Sequence, residues 1–154
     1  MTDAKRKQGL FSSLRTNWKT PKALYQTLDA EFGFDYDPCP IKPKVDGLES
    51  DWGYANFVNP PYGKEITRWI QKGYQEFLKG KTVVFLLPSR TDTGWWHEYV
   101  MKATEIRFIR GRLRFDDQKN PAPFPSAIAV FKRRKHGKQN RQKGRWVFIP
   151  TENS

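Results

Sequence analysis

Two tetrapeptides hold residue types from which a reaction could be built: Asn59-Pro60-Pro61-Tyr62 and Asp37-Pro38-Cys39-Pro40. In the first, the prolines fix the backbone and remove donors, so the Asn59 amide and the prolyl carbonyls become acceptors aimed at one point. An aromatic ring, Tyr62, stands beside them. This chemistry suits an exocyclic amine on a planar base. The lone pair of such an amine is delocalised into the ring. Acceptors that take its two hydrogens pull the nitrogen toward a tetrahedral shape and free the lone pair, while Tyr62 stacks on the base for about 1–3 kcal/mol. Read without context, the same tetrapeptide is equally a proline-rich turn after a strand.

The second tetrapeptide places a carboxylate, Asp37, in a stiff loop. Cys39 is the only cysteine, and His97 and His136 are the only histidines, so neither an internal disulfide nor a Cys/His metal cluster is expected. Cys39 reads as a small buried hydrophobe, and His97 as a surface or satisfied core residue. The third chemical feature is charge. The 154 residues carry +12, and the segment Lys132–Arg145 holds eight of the 28 basic residues with no acidic one, leaving 20 against 16 elsewhere. Such a chain attracts polyanions, nucleic acid above all. No apolar run approaches the roughly 18–20 residues of a membrane helix, and no signal-peptide stretch opens the chain. A soluble, cytoplasmic protein without a membrane partner is expected; the sequence does not reveal its oligomeric state.

The elements that must position these groups follow from periodicity. Residues 1–16 read as a mobile basic arm, 17–150 as a single domain, and 151–154 as a tail. Thr20 as N-cap and Pro21 at the first helical position open a helix through about Glu31, with Leu24, Leu28 and Phe32 on one face and Gly33 as its stop. A short strand is expected at Phe34–Asp37 and a buried one at Asn56–Val58, ending at the Asn59 tetrapeptide. Ile66, Trp69, Ile70, Tyr74 and Phe77 mark an amphipathic helix. Val83–Leu87 is a buried strand, Thr93–Lys102 a second crossover helix, and Glu105–Ile109 and Leu113–Phe115 further strands. Ser126–Phe131 and Arg145–Ile149 read as a late antiparallel hairpin whose long tip is the basic run at 132–145. The layout is α/β, a mostly parallel sheet with an antiparallel edge. Ligands bind beyond the carboxyl ends of strands in such sheets, which is where both tetrapeptides fall.

The chain resembles the small phage-type DNA adenine methyltransferases, the Dam family. The resemblance runs through Trp18-Lys19-Thr20-Pro21, Glu31-Phe32-Gly33-Phe34, Asp37-Pro38-Cys39, Phe57 to Gly63, Leu86 to Thr93 and Phe108 to Phe115, about residues 17–131. It implies a compact class I (Rossmann-like) fold with reduced middle strands. It also implies methyl transfer from S-adenosylmethionine to the N6 of an adenine flipped out of duplex DNA. The catalytic motif is then Asn59, Pro60, Pro61 and Tyr62, with Asn59 and the Pro60 carbonyl on the adenine amine. An Asn at its first position favours adenine, whereas cytosine-N4 enzymes more often carry Ser. The cofactor would be held by Trp18, Thr20, Pro21, Asp37, Pro38, Cys39 and Asn59, with Asp37 on its amino group. Asp46 and Trp52 are candidates for its ribose and adenine, or else a turn aspartate and a core tryptophan.

DNA contacts are expected from Arg90, Arg112, Lys132, Arg133, Arg134, Lys135, Lys138, Arg141, Lys143 and Arg145. Arg110 and Arg114 would extend that stripe, and the loop Pro121–Pro125 would contribute to sequence choice. Trp95, Trp96 and Tyr99 read as core residues or as aromatics entering distorted DNA. RNA or protein glutamine as methyl acceptor, and an inactive DNA-binding protein of the same fold, remain open alternatives at this level.

Overall fold

A computed structural model describes residues 17–134 and the backbone of 145–149. The arm expected at 1–16, the tail at 151–154, and Lys135, Lys138, Arg141 and Lys143 lie outside the described residues. The first helix, α1, spans Lys22–Phe32, and Gly33 closes it with φ 61, its amide bonding the Asp29 carbonyl. Only glycine enters that left-handed region without strain. Pro21, not Thr20, occupies the N-cap position, and no side chain caps the helix; the Thr20 hydroxyl is engaged elsewhere.

After α1 the strand expected at 34–37 shrinks to one parallel bridge, Tyr36 to Asn56. Pro38 and Pro40 have no amide with which to extend a ladder. Residues 41–54 form turns without helix or strand. There follow β1 (Ala55–Val58), α2 (Ile66–Leu78) and β2 (Thr82–Pro88). Next come α3 (Gly94–Glu98) with a 3-10 turn at Val100–Lys102, then β3 (Glu105–Ile109), β4 (Ser126–Phe131) and β5 (Arg145–Ile149). The single helix expected at Thr93–Lys102 is thus two pieces, because Tyr99 leaves helical geometry at φ −121, ψ −53. Trp95, Trp96 and Val100 are buried on it, so the two indoles are core.

The strand order is β1-β2-β4-β3-β5. β1 pairs with β2, and β3 with β5, in parallel, while β4 runs antiparallel to both β2 and β3. Four strands therefore point one way, and the reversed strand is central, not at an edge. This corrects the hairpin expectation: both edges of β4 are taken by β2 and β3, so β5 cannot pair with it, and 132–144 joins strands that are not neighbours. The same crowding removes the strand expected at Leu113–Phe115. A segment leaving β3 finds both of its edges occupied, yet Leu113 and Phe115 are still buried.

Register divides the two faces. Phe57 lies beside Val84 and Val58 beside Phe85, so Phe57 and Phe85 point to opposite sides. Tyr25 and Phe34 pack on Phe57, and Glu31 on α1 holds Arg107 of β3, so α1 covers one face. Tyr74 and Phe77 pack on Phe131, and Gly73 abuts Phe85, so α2 covers the other. All of β4 and nearly all of β2 are buried, as a strand covered on both faces must be.

Candidate active site

β1, β2 and β3 end at the same margin of the sheet, and Asn59 is the first residue beyond β1. Its Nδ2 donates to the Trp18 carbonyl at 2.5 Å and to the Thr20 hydroxyl at 3.1 Å. The donor end of the amide is thereby fixed on the segment preceding α1. The acceptor end is not matched: Oδ1 is buried and has no hydrogen-bond partner among the described residues. A buried carbonyl oxygen without a donor is costly, which makes this atom the place to look for a ligand N–H.

Asn17, Trp18, Thr20, Asp37, Cys39, Pro40, Ile41 and Asn59 line an open cleft of about 360 Å³, solvent at its mouth included. Sequence positions 18, 20, 37, 39 and 59, all expected from the motifs, are thus brought together. Pro38 is buried just behind, where a Cβ on Gly47 would overlap its carbonyl, so that glycine is required for the approach of the two loops. Asn17, Pro40 and Ile41 line the cleft as well, although the motifs do not single them out as site residues. Pro40 completes the Asp37 tetrapeptide and Asn17 precedes Trp18, so adjacency was the available signal; Ile41 had none.

Asp37 Oδ1 accepts the Cys39 amide at 2.9 Å. Burial pushes its carboxyl above the usual range, and that one amide only partly offsets the effect. No cation of the described residues pairs with it. Burial, and then the charge of Asp37, push the Cys39 thiol up to about 12, so it stays protonated and is no nucleophile.

Tyr62 is 5% exposed. Its hydroxyl donates to the Leu86 carbonyl at 3.3 Å, and burial raises its phenol above the usual range. Phe124, from the Pro121–Pro125 loop, stands edge-on to the Tyr62 ring at 5.5 Å and also edge-on to Trp18 at 5.3 Å. Phe115 joins the cluster 5.2 Å from Trp18. The sequence does not disclose that Phe124 covers Tyr62, because the two are joined only by tertiary packing.

Both residues with two open readings, Asp46 and Trp52, have a structural role in the described geometry. The Trp52 indole is a core group, buried and donating to the Gly47 carbonyl at 2.7 Å. Asp46 is an exposed turn residue whose Oδ1 accepts the Leu48 amide. Neither lines the cleft. Arg90 and Arg112 are exposed at the carboxyl margin, following β2 and β3. Lys132, Arg133 and Arg134 instead leave β4 beside the start of β2, and Arg145 opens β5 beside the start of β3. The described ends of the basic run therefore sit at the margin opposite Asn59.

With this geometry in place, comparison with known proteins is informative. Residues 7–153 match the family model described as DNA N-6-adenine-methyltransferase (Dam). A protein named DNA N-6-adenine-methyltransferase, from Haemophilus phage HP1 (strain HP1c1), is 31% identical over 105 residues, which cover 60% of this chain and 61% of the relative. The chain thus spans less than two thirds of that relative's length. The family match extends over nearly the whole sequence, and the chain belongs to the DNA N-6-adenine-methyltransferase (Dam) family.

Proposed function

We propose that this chain transfers a methyl group to the N6 of adenine in duplex DNA. The observation that carries the reading is the Asn59 Oδ1 atom, a buried acceptor with no partner among the described residues, set at a strand end in a cleft. An adenine N6 amine offers the hydrogens this atom lacks, and the Pro60 carbonyl supplies a second acceptor. Hydrogen bonds from both N–H groups localise the nitrogen lone pair, so the amine becomes nucleophilic without a charged base, and the one proton it sheds on methylation leaves to solvent. An extruded base that stacks on Tyr62 takes the place Phe124 holds, and extrusion itself costs a few kcal/mol.

The family implies S-adenosylmethionine as methyl donor. It supplies a sulfonium-activated methyl group when bound. The residues present fit it. Asp37 is a desolvated carboxylate lacking a cation, which suits an ammonium group, and Trp18, Thr20 and Cys39 share its cleft. Pro21 and Pro38 shape the two backbones that frame it. We read the architecture as a class I (Rossmann-like) fold with reduced middle strands. That reading is supported by parallel strands ending at the cleft and by the absence of helix or strand from residues 41–54. No helix of the described residues is long and apolar enough to cross a membrane, in keeping with a DNA-directed enzyme of the cytoplasm.

The test is transfer of labelled methyl groups onto duplex DNA, RNA and protein, with nucleoside analysis of the product. N6-methyladenine in DNA is expected. Label confined to RNA or to protein glutamine overturns the reading.

A further inference from the structure

We infer that Arg90, Arg110, Arg112 and Arg114 form the surface that grips the phosphates beside the target adenine, an inference that rests on the DNA-methylation reading. β1, β2 and β3 finish at one margin, so Asn59, Arg90 and Arg110 all emerge there, from three strands that run the same way, with β4 between β2 and β3. Beyond Arg110 the chain alternates. Arg112 and Arg114 are exposed, while Leu113 and Phe115 are 8% and 0% exposed. Phe115 packs on Trp18, whose carbonyl holds the Asn59 amide, so the two outward arginines ride on a segment anchored to the cleft wall.

None of the four arginines takes part in an ion pair among the described residues, in contrast to Arg68 and Arg107. The nearby acids are Asp92, Asp116 and Asp117, all exposed. Asp116 and Asp117 keep their charge but are tied to the Lys22 and Lys19 amides at the start of α1, and none of the three is ion-paired with the four arginines among the described residues. Arginine at all four positions suits phosphate, because the planar guanidinium bonds two oxygens at once.

The Lys132–Arg145 run is the stronger charge but starts in the wrong place for these contacts. Phe131 pairs with Val83 and Arg145 with Glu105, both near the beginnings of parallel strands. The seven residues of β2 separate that margin from the cleft by roughly 20 Å at about 3.3 Å per residue. Arg133 is moreover bonded to the Leu78 carbonyl at 3.0 Å. Phosphates flanking an extruded nucleotide must lie near the pocket, and among the described residues the arginine margin is the one that reaches them.

The experiment compares R90A/R110A/R112A/R114A with K132A/R133A/R134A. It measures affinity for an adenine-containing duplex across salt concentrations, the KM for DNA, and cofactor binding by calorimetry. For the first variant the slope of log affinity against log salt is expected to flatten by roughly three to four. Its KM for DNA should rise at least tenfold, with cofactor affinity unchanged, and the second variant should change both quantities less. A first variant with wild-type slope and KM, or a larger loss in the second, overturns the inference. If the quadruple variant does not fold, R112A/R114A carries the same test with about half the slope change, its side chains being exposed. A wild-type protein that binds DNA with this arginine-dependent slope yet transfers no methyl group would sink the catalytic reading and leave the surface standing.

Discussion

Asn56 and Asn59 sit three residues apart at the two ends of β1, and they are treated in opposite ways. Asn56 is fully buried, its Oδ1 accepts the Gly53 amide, and its Nδ2 donates to the Gly53 and Thr82 carbonyls. Asn59 spends its donors on Trp18 and Thr20 and keeps a buried oxygen without a partner. The buried carboxylates divide in the same way. Glu76, near the start of β2, is met by Lys72, Lys79 and Lys81, whereas Asp37, in the cleft, pairs with no cation of the described residues. At the amino margin the polar groups complete one another and serve the fold. At the carboxyl margin they are left incomplete among the described residues, which costs stability that a bound molecule can return.

The largest expected effect follows from the incomplete asparagine. Asn59→Ala removes the acceptor proposed for the target amine and should slow methyl transfer about a thousandfold, as loss of a preorganised polar group in an active site does. Its stability should fall by about 1–2 kcal/mol, because the Nδ2 bonds to the Trp18 carbonyl and the Thr20 hydroxyl go with the side chain, so transfer is compared per folded molecule. Single-turnover transfer and urea unfolding on the same sample check both halves. Turnover near wild type would falsify the assignment.

Glu76→Gln should do the reverse, costing about 3 kcal/mol of stability by stranding three lysines around a buried site while leaving the transfer rate per folded molecule unchanged. Burial alone would raise the Glu76 carboxyl, but the hydrogen bonds from Lys81, Lys72 and Lys79 outweigh it and carry it to about 2. Folded Glu76 therefore gives up its proton more readily than in the unfolded chain. Its contribution is complete above about pH 4.5 and is lost as pH falls toward 2. Urea midpoints measured between pH 6 and 2 should show this fall in the wild type and a shallower one in Glu76→Gln.

Asn56→Ala is expected to cost about 2 kcal/mol, since three backbone groups at the β1–β2 junction lose their partner. Its activity per folded molecule should hold. If it lost transfer without losing stability, the division between the two ends of β1 would fail.

How much of this contrast could be read from sequence depends on range. The apolar stripe Ile66, Trp69, Ile70 and the continuous run at Val83–Leu87 placed α2 and β2 within a residue or so, because periodicity is a local property. The Asn59 tetrapeptide likewise announced its own position at a strand end. Partner choice is not local: nothing in Ser126–Phe131 says that it enters between β2 and β3, so the expected hairpin with β5 could not be tested against the alternative. The cleft shows the same limit. Trp18, Asp37 and Asn59 were recognised separately from their motifs, whereas Phe124 on Tyr62 and Ile41 at the rim arise only when distant loops converge. Trp52 stayed ambiguous for a related reason, since an indole suits a core and an adenine equally until its Nε1 partner, Gly47, is known.

The smallest expected effect tests the incomplete carboxylate. Burial raises the Asp37 pKa, so the folded state binds this proton more readily than the unfolded chain does. The sign is opposite to that of Glu76: ionised Asp37 opposes folding, and the penalty grows as pH rises above the ordinary value of 3.8. Asp37→Asn keeps an oxygen for the Cys39 amide and removes the charge, so its urea midpoint at pH 7 should equal or exceed that of the wild type. S-adenosylmethionine affinity, measured by calorimetry, should fall about tenfold, equivalent to about 1.4 kcal/mol, because the cofactor's ammonium group loses its counter-charge. Loss of stability with unchanged affinity would make Asp37 a structural carboxylate like Glu76, and the contrast between the two margins would then rest on Asn59 alone.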